Sequence, residues 1–246
     1  MIPTDLSSSS QKTSHAEEDE FLVLGNSQPF GMGGRRVCYV HPLDPKKCIK
    51  VLRTDAKRTI RVKQGLLHRF RRTYDNNAHE MRVLTRLEHR VGSQMASHLP
   101  RSYGMAKTDL GPGLVLDLVR DHDDQISLSV RQLITMGQDL STLWPAFNDL
   151  GEFLLHHNIL TRHILDHNIA AQKRGDGTFS FYIIDGLGDP AWLPLRQWIK
   201  PLGRTRIRVR LAHAWGRFEH LASIGGVSQD LIDKSNWDQG MLRHRG

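Results

Sequence analysis

Five features of the chain carry the residue types that phosphate chemistry uses, and they occur in a workable order. Gly31 and Gly33 make a Gly-x-Gly turn. Glycine lets backbone N–H groups approach a phosphate chain closely, because no Cβ intervenes. Lys50 lies in an apolar run that follows, and its ammonium would neutralise phosphate oxygens as a point charge. Glu80, further on, can hold that lysine by an ion pair. Asn168 and Asp185 bring hard oxygen donors of the kind magnesium takes.

Each feature also has an ordinary reading. Gly31 and Gly33 would serve a plain hairpin turn, and Arg36 stands where the third glycine of a phosphate loop would fall. Lys50 and Glu80 would serve equally as solvated strand and helix residues. Asn168 would cap a turn, and Asp185-Gly186 is a strong signal for a tight hairpin. What favours a nucleotide-type cleft is the order of all five.

The elements that must position these residues are legible as short runs. Phe21 to Leu24, Val37 to Val40 and Cys48 to Leu52 are strand-like and separated by Gly and Pro turns, which predicts an antiparallel meander. A helix is expected from about Asn76 to Arg90, with Met81, Val83, Leu84 and Leu87 on one buried face. A strand pair is expected around Gly104 and from Gly113 to Val119. Helical spacing takes over at Val130 to Gly137 and Leu140 to Asn158, where Phe147, Leu150, Phe153 and Leu154 share a face. Residues 159 to 190 read as short strands and loops, and the end from Trp192 is helix-like and basic. Strands first and helices second predict an α+β fold, with a sheet-rich front lobe and a helical back lobe. The expected organisation is a disordered tail at 1–20, the front lobe and hinge at 21–120, the back lobe at 121–220 and an extension at 221–246.

Composition narrows the partners. The chain has 246 residues and a net charge of +8, from 34 basic and 26 acidic side chains, so acidic partners are favoured: phosphates, nucleic acid or an acidic protein. No apolar run approaches the roughly 18 residues of a membrane span, and the N-terminus has no signal-like segment, so a cytoplasmic protein is expected. Cys38 and Cys48 are too few for a disulfide framework and read as two small buried thiols. A nucleic-acid interface would rest on the basic residues between 53 and 72 and on Arg204, Arg206, Arg208 and Arg210, which share one face if extended. A zinc site would rest on His156, His157, His163 and His167. Neither is favoured, since no stacking aromatics or second carboxylates accompany them.

The sequence resembles the YrbL family, the PhoP regulatory network proteins of the protein-kinase-like superfamily, from about Pro29 to Trp198. Pro29-Phe30-Gly31-Met32-Gly33, Cys38-Tyr39-Val40-His41-Pro42 and Cys48-Ile49-Lys50-Val51 carry the resemblance in the front half. Leu99 to Gly104, Gly113 to Asp117, Asn168-Ile169, Asp185 to Asp189 and Leu193-Pro194-Leu195 carry it behind. The resemblance implies a divergent two-lobed kinase-like fold, with an antiparallel-sheet N-lobe and a mostly helical C-lobe. It implies ATP and magnesium as cofactors and a regulatory role. Gly31 and Gly33 match the phosphate loop, Lys50 the phosphate-binding strand lysine and Glu80 its helix partner. Leu116 and Leu118 fall near the hinge where adenine would lie, and Asn168 and Asp185 match the metal ligands. Two departures stand out. Leu187 follows Asp185-Gly186 where a Phe-Gly pair is usual, and His163 stands five residues before Asn168, where a kinase has its catalytic aspartate. Losing that base weakens the case for phosphotransfer. His163 would accept a proton near neutral pH or serve as a loop residue, while Asp166 is a carboxylate displaced from the usual position.

Overall fold

The structure, a computed structural model, describes residues 21–33, 35–53, 76–162, 164–188 and 200–226. The expected tail at 1–20, most of the basic segment at 53–72, His163, the Leu193-Pro194-Leu195 motif and most of the 221–246 extension lie outside those residues.

Alternation along the strands builds the front lobe. Strands β1 (Phe21–Leu22), β2 (Gly31–Met32), β3 (Arg36–Val40), β4 (Lys47–Leu52), β5 (Ser102–Thr108) and β6 (Gly113–Asp117) form one sheet in the order β1-β5-β6-β4-β3-β2. Successive side chains point to opposite faces. Tyr39, Ile49, Val51 and Val115 therefore join Leu22 and Leu24 in a small outer core, while Cys48, Leu114 and Leu116 face the main core. Lys50 shares the parity of Cys48, so its ammonium is directed inward and the residue is only 6 % exposed.

Strands β2, β3, β4, β6 and β5 pair antiparallel as expected, but β1 departs from the meander and runs parallel to β5. A long-range anchor explains this. The Asp109 carboxylate accepts the N–H groups of Leu24 and Gly25 at 2.7 and 2.8 Å, which fixes the segment after β1 against the end of β5.

Helix α1 (Asn76–Val91) buries Asn77, Glu80, Leu84 and Leu87, a stripe at helical spacing. The expected apolar face is rotated: Met81 and Val83 flank it half-buried. Two polar residues hold the first half of the stripe because each finds a partner there. The Asn77 amide, for one, donates to the Lys50 carbonyl at 2.7 Å.

The back lobe comprises α2 (Val130–Thr135), α3 (Leu140–His156) and α4 (Lys200–Ser223), a 3-10 turn at Asp166–Asn168, and the hairpin of β7 (Ile169–Lys173) with β8 (Phe179–Ile183). Ser129 and Gln132 close a capping box on α2, and the Asp139 carboxylate accepts the Ser141 N–H at 2.9 Å to start α3. Helix α4 seats Ile207, Ala214, Phe218 and Leu221 in the main core, with Phe218 at 5.6 Å and Trp215 at 5.0 Å from the Phe147 ring. Leu221 belongs to that seam, so α4 runs on to Ser223 and crosses the boundary expected at 220. Because a helix turns about 100° per residue, Arg204 and Arg208 fall on one flank and Arg206 and Arg210 on the other. The four-arginine stripe that an extended chain would present does not form. Strands in front and helices behind give the expected α+β architecture.

Candidate functional site

Inward-facing Lys50 meets the buried stripe of α1. Its ammonium donates to Glu80 Oε1 at 2.8 Å and to the Ile184 carbonyl at 2.5 Å. Ile184 follows β8 and precedes Asp185, so one side chain of the front sheet touches both the front helix and the back lobe. Arg36, the first residue of β3, completes the group. Its Nη1 bonds to Glu80 Oε2, and its Nη2 lies 2.6 Å from Asp185 Oδ2. The Asn77 side-chain oxygen accepts from Arg36 at 3.4 Å. The second Asp185 oxygen accepts the Gly186 N–H at 2.6 Å.

Two cations and two acids thus form one network. Burial by itself would lower the Arg36 and Lys50 pKa values, but Glu80 and Asp185 outweigh it and raise both. Burial would likewise raise the Asp185 carboxyl, yet Arg36 and Lys50 hold it well below the usual carboxylate range. The Arg36, Lys50 and Glu80 side chains are less than a tenth exposed, whereas that of Asp185 is 49 % exposed. Asp185 is therefore where the network meets solvent.

Gly31 lies in β2 and Gly33 in the turn that leads to β3 and Arg36. Gly31 pairs with Cys38, and the Gly33 N–H donates to the Arg36 carbonyl at 2.7 Å. Neither glycine has a left-handed φ. A Cβ would meet only ordinary contacts, 3.5 Å from Cys38 Cβ at position 31 and 3.6 Å from the Arg36 carbonyl oxygen at position 33. The backbone therefore does not require glycine at either position, and the missing side chains leave room beside the amides. Gly186 differs, with φ at 83°.

Other expected site residues fall at varying distances from this centre. Asn168 closes the 3-10 turn, and its carbonyl accepts the Ile184 N–H at 2.9 Å, which sets its backbone beside the residue before Asp185. Leu116 and Leu118 are buried in the main core at 1 % and 9 % exposure, so core packing occupies their side chains. His163 lies outside the described residues; next to it, the Arg162 N–H donates to the Gly186 carbonyl at 2.7 Å. Asp166 is no substitute base. Arg131 grips it with Nε at 2.5 Å and Nη2 at 3.0 Å. Burial would raise its carboxyl, but bonds from His167 and Arg131 hold it well below the usual range. Of the zinc candidates, His156 and His157 meet edge to face at the end of α3 with ring centroids 4.7 Å apart, while His167 lies on the 3-10 turn beside Asp166. Among the described residues no three His, Cys, Asp or Glu side chains gather as a metal site.

Sequence reasoning missed Arg36, Asn77 and Arg131 as site residues. Arg36 had a signal, since it replaces a glycine, but a replacement reads as a loss until its partners are known.

The donor types at Asn168 and Asp185 suit magnesium; the arrangement around Asp185 does not. Both carboxylate oxygens are engaged, one by a full positive charge. A magnesium ion on the same carboxylate would share it with the Arg36 guanidinium, and two cations on one carboxylate repel. Arg36 therefore competes with any such ion for Asp185.

A family profile described as "PhoP regulatory network protein YrbL" matches residues 22–218. The chain belongs to the YrbL family. The YrbL protein of Escherichia coli (strain K12) is 25 % identical over 184 residues, covering 73 % of this chain and 79 % of that protein. YrbL of Shigella flexneri gives the same figures, 25 % over 184 residues. Among solved structures, the PknI kinase domain of Mycobacterium tuberculosis overlaps at a TM-score of 0.44 with 14 % identity, covering 76 % of this chain and 71 % of that one. A double mutant of the same domain overlaps at 0.44 with 12 % identity, covering 87 % and 81 %. The fold of this YrbL-family chain is α+β, a six-stranded sheet in front and helices behind. The lysine of β4, the glutamate of the following helix and the Ile184–Asp185 segment beyond β8 are joined by direct hydrogen bonds and ion pairs, with Gly31 and Gly33 at the nearby β2–β3 turn. Among the described residues no helix is long and apolar enough to cross a membrane.

Proposed function

We propose that this YrbL-family protein is a kinase-like regulatory module whose cleft binds ATP, with binding rather than phosphotransfer as its working property. The observation that carries the reading is the convergence at Lys50, whose ammonium touches Glu80 at 2.8 Å and the Ile184 carbonyl at 2.5 Å, one residue from Asp185. In this reading Lys50 holds phosphate oxygens, Glu80 orients Lys50, and the absence of side chains at Gly31 and Gly33 lets the phosphate chain approach the backbone. Turnover is disfavoured by His163 at the base position and by Asp166 being tied to Arg131, because loss of a positioned base costs about 10²–10⁴-fold in rate.

Thermal stability tests the reading. ATP at about 100 times its Kd stabilises the folded state by about 2.7 kcal/mol, which raises Tm by roughly 5–10 °C for a domain of this size. The rise is expected for the wild type, with ATP offered both with and without magnesium, and is expected to vanish in Lys50→Ala. No rise under either condition, or an equal rise in Lys50→Ala, refutes the reading. A nucleic-acid ligand would instead bind Lys50→Ala normally and weaken steeply with salt.

A further inference from the structure

We propose that Arg36 takes the place of a divalent cation in this cleft, so that the site recognises the polyphosphate of a nucleotide as the metal-free anion. The proposal rests on the nucleotide reading above and specifies the form of the ligand.

Three observations carry it. First, Arg36 occupies the place of the third glycine and enters the site from β3, so its charge is built into the chain. Its guanidinium spans the Glu80 and Asp185 carboxylates, joining the front helix to the residue that the resemblance assigns to metal. Second, both oxygens of Asp185 are engaged, by Arg36 at 2.6 Å and by the Gly186 N–H at 2.6 Å. Third, the charges balance only with Arg36 present. Lys50 and Arg36 face Glu80 and Asp185, a neutral set; without Arg36 one cation faces two acids, which repels phosphate and calls for a metal ion.

The rim adds positive charge. The Arg53 guanidinium donates to the Gly33 carbonyl at 3.5 Å, and its backbone N–H donates to the Arg35 carbonyl at 2.8 Å. Arg162 hangs from the Gly186 carbonyl at 2.7 Å and feels the Asp185 charge.

Equilibrium binding of ATP to the full chain, in EDTA and in excess magnesium, tests this directly. The wild type is expected to bind in EDTA at least as tightly as in magnesium, because the ion competes with Arg36 for the same oxygens. Arg36→Gln is expected to lose at least about tenfold in EDTA, about 1.4 kcal/mol, and to recover when magnesium is added. Wild-type binding that requires magnesium overturns the proposal and leaves the nucleotide reading standing. Binding under neither condition overturns both. An Arg36→Gln affinity equal to wild type in EDTA also overturns it. The wild-type comparison is decisive without the variant, so misfolding of Arg36→Gln would not shield the proposal.

Discussion

Arg36 Nη2 lies 2.6 Å from Asp185 Oδ2, and this contact ties the front sheet to the segment behind β8. Its partner contact runs beside it, from the Lys50 ammonium to the Ile184 carbonyl at 2.5 Å. The two cations enter from adjacent strands, β3 and β4, and reach successive residues of the back lobe. Glu80 receives both cations, which makes it the shared acid of the network.

That sharing ranks the consequences of mutation. Glu80→Gln leaves two buried cations short of an acid and is expected to cost about 3–5 kcal/mol, the range for breaking a buried ion pair. Lys50→Met is expected to cost less, because Arg36 still covers Glu80. Urea denaturation of both variants checks the order. Equal losses, or a larger loss for Lys50→Met, would show that Glu80 is not the shared partner.

Two glycines are expected to respond in opposite ways. Gly33→Ala adds a Cβ at ordinary contact distance on a backbone without left-handed φ, so stability should change by less than about 0.5 kcal/mol while ATP affinity falls. Gly186→Ala forces a side chain onto a φ of 83° and is expected to cost about 1–2 kcal/mol in stability. Denaturation and binding measured on both variants separate a ligand-facing glycine from a conformational one.

Acid should weaken the back lobe through Asp166. Its carboxyl is held below the usual range in the folded state, so its contribution is complete above the unfolded value of about 3.9 and is lost as pH falls through the folded value. The wild type is expected to lose stability steeply below about pH 4, and Asp166→Asn to be weaker at pH 7 but flatter with acid. Stability measured from pH 7 to pH 2 decides this; parallel curves would remove Asp166 as a contributor.

Much of this architecture was legible beforehand, and the misses share a cause. The alternation in Cys48 to Leu52 places β4 correctly, and the apolar spacing after Asn76 places α1. The pairing of Lys50 with Glu80 follows from motif order. What no local pattern holds is the partner of a polar side chain distant in sequence. Asp109 fixes β1 in a parallel pairing, Arg131 withdraws Asp166, and Arg36 closes on Asp185; each depends on a bond across the fold. The face of α1 was misjudged for the same reason, since Asn77 and Glu80 are buried only because the sheet supplies their partners.

The thiols offer a check on the inner face of the sheet. Cys38 lies opposite Lys50, and Cys48 opposite Val40; both are free. Burial raises the Cys38 pKa and pushes Cys48 up to about 12, so few thiolates exist near neutral pH. Alkylation at pH 8 is expected to be slow in the native protein and fast in denaturant. Rapid native labelling of Cys48 would contradict the packing around Lys50.

The central claim is that Lys50 faces the phosphates of a bound nucleotide. A lysine-reactive acyl-phosphate derivative of ATP, followed by peptide mapping, measures this most directly. Acylation of Lys50 is expected, and its labelling should fall as free ATP is added. Labelling confined to other lysines, or labelling of Lys50 that ATP does not suppress, would contradict it.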